Sequence, residues 1–155
     1  MADETTVFSK DGTFKADVKA WKNNYLFYKS IGTEVNVYHR EETKNIWGST
    51  VTDWVDKAVP SIEITNVYRG TGPGASPGGV AKSKTCPNTN SCELKEWAVG
   101  GSITVTETGD TSEGGGAILE IDSVNGSVVV VLPSGERLTA QVSASSALSD
   151  NSIWG

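Results

Sequence analysis

The sequence has one histidine, one methionine and two cysteines, and no apolar run longer than the five residues from Val128 to Leu132. Each shortage excludes something. A run of five cannot cross a bilayer, which takes about 20 apolar residues as a helix. A serine–histidine–acid triad has only His39 as its base. It lies between Tyr38 and Arg40 at a strand end, where a histidine is ordinarily a surface residue, and no Gly-x-Ser-x-Gly elbow is present. Cys86 and Cys92 are separated by Pro-Asn-Thr-Asn-Ser and have no other soft ligand nearby, so they do not make a metal centre. They either close a small disulfide loop or remain two thiols. Cations are also scarce: 13 lysines and arginines face 19 carboxylates, for a formal charge of −6. The basic clusters, Lys15/Lys19/Lys22 and Lys82/Lys84, are sparse, which argues against phosphate-driven nucleic-acid binding.

Other chemistry fails on spacing. Gly114-Gly115-Gly116 is not followed by Lys-Ser/Thr, and Gly70–Ala75 contains a proline where a phosphate cradle needs backbone N–H donors. Asp110, Glu113, Asp122 and Asn125 could gather oxygens but do not match a calcium-loop pattern. The neighbouring carboxylates Glu41/Glu42, Asp53/Asp56 and Glu93/Glu96 read as surface charge, with no pair standing out for glycoside cleavage. No catalytic residue, metal or cofactor is expected. Met1-Ala2-Asp3-Glu4 carries neither a positive nor an apolar leader region, so synthesis in a cytoplasm without a secretion signal is expected.

What remains is rich in Gly, Thr, Ser and Val, a composition of strands and tight turns. Period-two alternation places one side-chain set on a core face. It runs through Phe14, Ala16, Val18 and Ala20, through Val35 and Val37, and through Ile62 and Ile64. It returns at Ile103 and Val105 and at Leu138, Ala140 and Val142. Leu94–Val99 reads as a further strand. Residues 118–142 read as a meander of three strands. Asn125-Gly126 would form a type I′ turn, Val128–Val131 a central strand buried on both faces, and Pro133–Glu136 the second turn. One short helix is predicted between Thr43 and Ala58, from the spacing of Trp47, Val51, Trp54, Val55 and Ala58 with Pro60 as its stop. The stretch Trp21–Ile31 fits either strand or helix. The fold class is therefore all-β: an antiparallel sandwich or barrel-like domain with long Gly/Pro-rich loops and at most one short helix. Residues 1–142 form a single domain with a long loop at 69–92, and 143–155 form a polar C-terminal arm.

Five tryptophans are many for this length. Trp47, Trp54 and Trp97 are expected to build the core of a chain poor in leucine and methionine. Trp21 and Trp154 lie beside charged or polar stretches and are assigned to an interface. Val7 and Phe8 in the N-terminal arm, Pro73 and Pro77 in the loop, and Ile153 in the tail join them, because such segments are readily ordered by a neighbouring subunit.

The passage Gly101-Ser-Ile-Thr-Val-Thr-Glu-Thr-Gly, with Gly114-Gly-Gly-Ala-Ile-Leu-Glu-Ile-Asp-Ser-Val-Asn-Gly-Ser-Val-Val-Val-Val, resembles the Gly/Thr/Val-rich short-strand segments of tailed-bacteriophage structural proteins. These include capsid decoration proteins, fibres and tail components. The resemblance covers about a third of the chain and implies no catalytic residues. It implies a non-enzymatic virion structural protein, most readily a capsid decoration or cement protein. Its partners would be copies of itself and other virion proteins such as a major capsid protein, with no nucleic acid and no membrane, in a homo-oligomer. The alternative expectation is a carbohydrate-binding or adhesion module that uses exposed aromatic rings.

Overall fold

The computed structural model describes residues 2–24, 28–71, 79–99, 103–106 and 118–145. The described residues form ten strands and no helix: β1 (Ala2–Phe8), β2 (Phe14–Asn24), β3 (Lys29–Lys44), β4 (Thr50–Asp56), β5 (Val59–Thr71), β6 (Val80–Thr89), β7 (Ser91–Ala98), β8 (Thr104–Thr106), β9 (Ile118–Val131) and β10 (Arg137–Ser145). All pairings are antiparallel. The first sheet runs β1-β2-β3, and β4 and β7 lie end to end along the far edge of β3. The second runs β10-β9-β5-β6, with β8 beyond β10 along β9. Fourteen residues of β9 and sixteen of β3 thus act as the long central rails.

The alternation read from the sequence becomes the core. Ala16, Val18, Ala20, Ile31, Val35 and Val37 from the first sheet meet Ile62, Ile64, Val124, Val128 and Val130 from the second, all essentially solvent-free. The tryptophans expected in the core are elsewhere because register decides the face: Trp54 stands opposite Arg40 and Trp97 opposite Ser30, at positions of β3 that alternate with its core residues, and Trp47 lies on the turn between β3 and β4. Trp47 is 81% exposed, Trp97 57%, and Trp54 is half-buried on the outer face of the first sheet.

One buried polar node joins the two sheets. Thr33 of β3 donates to Asn66 Oδ1 of β5 at 2.7 Å, and Asn66 Nδ2 donates to the Tyr68 hydroxyl at 2.9 Å and to the Leu94 carbonyl of β7 at 3.0 Å. Thr33, Asn66 and Tyr68 lie where water is excluded, and burial pushes the Tyr68 phenol up to about 12 despite the stabilising Asn66 bond. Gly126 of β9 faces the same node. A Cβ there would run into the Thr33 hydroxyl and crowd the Asn66 amide oxygen, so only glycine lets the sheets close. Here Asn125-Gly126 makes no turn. β9 continues straight through, with Asn125 opposite Ser143 on one side and Val67 on the other.

Further expectations are corrected. The predicted helix at 43–58 is the end of β3, a tight turn and β4. Thr50, Val51, Thr52 and Val55 are β-branched, and Gly48 sits at φ +80°, which a turn uses and a helix does not. The long loop at 69–92 is largely strand. β5 continues through a register shift at Arg69/Gly70 to Thr71, and β6 occupies Val80–Thr89. As an edge strand, β6 tolerates Lys82, Lys84 and Pro87, which made it look like a loop. Pro73 and Pro77 lie outside the described residues. The supposed meander is two strands, β9 and β10, joined by the Pro133–Glu136 turn as expected, where Leu132 N–H donates to the Glu136 carbonyl. β9 is central between β10 and β5. Val128 and Val130 face the core while Val129 and Val131 are half-buried outside, so alternation persists. β10 runs to Ser145, three residues into the expected polar arm.

Cys86 of β6 and Cys92 of β7 are joined by a disulfide, with Cα atoms 5.8 Å apart. It ties the edge of the second sheet to the first, at the corner where Val37 N–H donates to the Asn90 carbonyl. Replacing both cysteines by serine should cost about 2 kcal/mol, the loop-closure value for so short a ring, read as a lower denaturant midpoint. Asn66→Ala orphans the Thr33 hydroxyl and the Leu94 carbonyl in the core. It should cost about 2–3 kcal/mol in the same assay, and Gly126→Ala should be comparably harmful.

Candidate functional site

Two surfaces are built unlike the rest. The first is an arm. β3 is buried or half-buried from Lys29 to Arg40, but every residue from Glu41 to Asp53 is exposed. Past Arg40, β3 and β4 leave the sandwich as a two-stranded ribbon, roughly 13 Å long by strand rise, with no sheet beneath it. An isolated hairpin of this kind is marginal in water. Its tip is nevertheless tightly organised. The Asn45 side-chain oxygen accepts the N–H of Trp47 at 2.9 Å and of Ser49 at 3.0 Å, and Asn45 N–H donates to the Ser49 carbonyl at 2.9 Å. That turn presents Ile46, 87% exposed, beside Trp47.

At the base of the arm, the His39 ring packs edge-on against Phe14 with centroids 4.7 Å apart. Its Nδ1 is buried without a hydrogen bond, 3.9 Å from Glu41 Oε2. Glu41 stands opposite Asp53 across the ribbon, a like-charge pair.

The second surface is the outer face of β1-β2-β3. The register aligns three rows across these strands: Glu4, Lys19 and Glu34; Thr6, Asp17 and Asn36; Phe8, Lys15 and Tyr38. A groove of about 280 Å³ runs over the two polar rows and ends at Tyr38. The aromatic row closes that end. Lys15 Nζ lies 4.7 Å from the Trp54 ring centroid and 5.5 Å from that of Tyr38, and Phe8 meets Trp54 at 6.0 Å. Burial first, then the carboxylates of Asp17, Asp56 and Glu34, raise the Tyr38 phenol above its ordinary value.

The residues assigned to an interface from sequence are distributed as follows. Phe8 is exposed and belongs to the aromatic row. Val7 faces inward, half-buried against the core. Trp21 lies on the outward parity of β2 but is only 9% exposed, its indole N–H donating to the Ser30 hydroxyl at 2.9 Å, and so offers little surface. Ile153 and Trp154 lie outside the described residues. Sequence reasoning missed the arm tip. The signal was Asn45-Ile46-Trp47-Gly48-Ser49, a turn sequence interrupted by two large apolar residues.

Among the described residues no group of three His, Cys, Asp or Glu side chains could hold a metal ion. Glu41 and Glu42 point to opposite faces, and Glu96 pairs with Lys82 at 3.2 Å while Glu93 is exposed. Of the calcium candidates, Asp122 and Asn125 lie on β9, while Asp110 and Glu113 fall outside the described residues. No helix of the described residues is long and apolar enough to cross a membrane. No family model matches the chain, and neither the curated proteins nor the solved structures contain a match.

The indoles should therefore differ in accessibility. In acrylamide quenching, Trp47→Phe should remove most of the easily quenched fluorescence and Trp97→Phe a smaller part. Trp21→Phe should remove the protected component.

Proposed function

We propose that this chain is a non-enzymatic structural protein that joins an assembly by seating the tip of the β3–β4 arm in an apolar pocket of a neighbouring protein subunit. The observation that carries the reading is the pairing of Ile46 and Trp47 on a turn held rigid by Asn45. Burying two such side chains contributes about 1.5–3 kcal/mol each. A tryptophan presented on an ordered backbone loses little entropy on docking, which is what makes such residues interface anchors. A free-standing ribbon that is marginal alone also gains stability from a partner. The bacteriophage resemblance supplies the setting: a capsid decoration or cement protein, with copies of itself and a major capsid protein as neighbours in the virion.

The test is sedimentation of the full chain alone and mixed with assembled capsid shells, beside an Ile46→Ser/Trp47→Ser variant. Association by the native chain, abolished in the variant while circular dichroism is unchanged, is the expected result. A native chain that stays monomeric and does not co-sediment, or a variant that associates as well as the native chain, overturns the reading.

A further inference from the structure

The groove on the outer face of β1-β2-β3 is independent of the arm and has the chemistry of a ligand site. Its walls are three paired strands with fixed register, so the side chains are presented by a rigid backbone. Among the described residues, the side chains of Glu4, Lys19, Glu34 and Asn36 have no hydrogen-bond or ion-pair partner, although each stands opposite a polar residue of the next strand. Asp17 is engaged only by the Thr6 hydroxyl, at 2.8 Å. A ligand can take up these groups without breaking contacts inside the protein.

The set mixes acceptors (three carboxylates), a donor (Lys19) and a group that does both (the Asn36 amide). This is what closely spaced hydroxyl groups require, since each hydroxyl donates and accepts. At the end of the groove the aromatic row is held in place by Lys15, whose ammonium sits against the Tyr38 and Trp54 rings. Phe8, 56% exposed, offers an open apolar surface beside the polar rows. Polar rows ending in an aromatic wall suit a molecule with hydroxyl edges and a C–H face. Glu4, Asp17 and Glu34 outweigh Lys19 in the groove, so the local field repels sulfates and uronates.

We propose that this face binds a short oligosaccharide of neutral or amino sugars, with Asp17, Glu34 and Asn36 bonding its hydroxyls and Phe8 covering a ring face. The site would add recognition of a surface glycan to a protein whose assembly runs through a different element. The proposal does not rest on that assembly role.

The experiment is calorimetric titration of the full chain with cellohexaose, N-acetylated chitohexaose, fully deacetylated chitosan hexamer and heparin hexamer. At least one of the first three should bind saturably with a Kd of about 1 mM or tighter, and heparin should not bind. Asn36→Ala and Phe8→Ala should each weaken binding about tenfold, and Asp17→Asn, which keeps the side-chain shape, should weaken it measurably. Trp47→Ala, in the arm, should leave it unchanged, with circular dichroism showing that all variants fold. Failure of the three uncharged or basic oligomers to bind overturns the proposal. So does a preference for heparin, binding insensitive to Asn36→Ala and Phe8→Ala, or equal loss in Trp47→Ala.

Discussion

The contact of Asn66 with Thr33, Leu94 and Tyr68 is the constraint on which the sandwich depends. A sandwich of valines and isoleucines alone can slide, because apolar contact has no direction and one β-branched side chain fits much as another does. An amide buried between two sheets cannot. Its oxygen must meet the Thr33 hydroxyl and its nitrogen the Leu94 carbonyl, or the groups are left unsatisfied away from water. Because β3 and β7 each contribute a partner, the node sets the position of the whole first sheet relative to β5. Gly126 on the adjoining strand is the steric counterpart, since the node closes only where no Cβ intervenes.

Both candidate surfaces follow from that alignment. With Thr33 pinned over Asn66, the facing sheet supports β3 only to about His39, and the remaining residues of a sixteen-residue strand extend past it. The arm is thus the excess length of β3 over what the second sheet can cover. The same register puts Glu34, Asn36 and Tyr38 on the outer face while Val35 and Val37 enter the core, and it lines them up with the outward-facing residues of β1 and β2. One polar contact in the interior therefore decides what the exterior presents. The disulfide serves a narrower purpose, closing the corner that the β6–β7 connection crosses.

Legibility from sequence was uneven for identifiable reasons. The half-buried strands at Phe14–Ala20, Val35–Val37, Ile62–Ile64 and Leu138–Val142 were readable because alternation reports a core face directly. Asn125-Gly126 misled because glycine has two uses, positive φ and close approach, and only the neighbouring sheet shows which applies. Val51, Trp54, Val55 and Ala58 misled because spacings of three and four also arise when two faces of an exposed ribbon both carry apolar residues. β6 was obscured by its edge position, where lysine and proline belong. The tryptophans were placed wrongly because indole is apolar by composition, whereas the face a strand residue occupies is set by its register with the neighbouring strand.

By itself the sequence determined that this protein is all-β, acidic, free of an evident triad or metal motif, and threaded by half-buried antiparallel strands. Those properties depend on residue type and on a two-residue period, which are local. Only the tertiary structure decided that the cysteines pair, that Trp21 is covered while Trp47 is displayed, and that Glu4, Asp17 and Asn36 share one groove. Each of these depends on which strand lies beside which and how far one sheet overhangs the other. That is set by long-range packing around Asn66, which no stretch of neighbouring residues encodes alone.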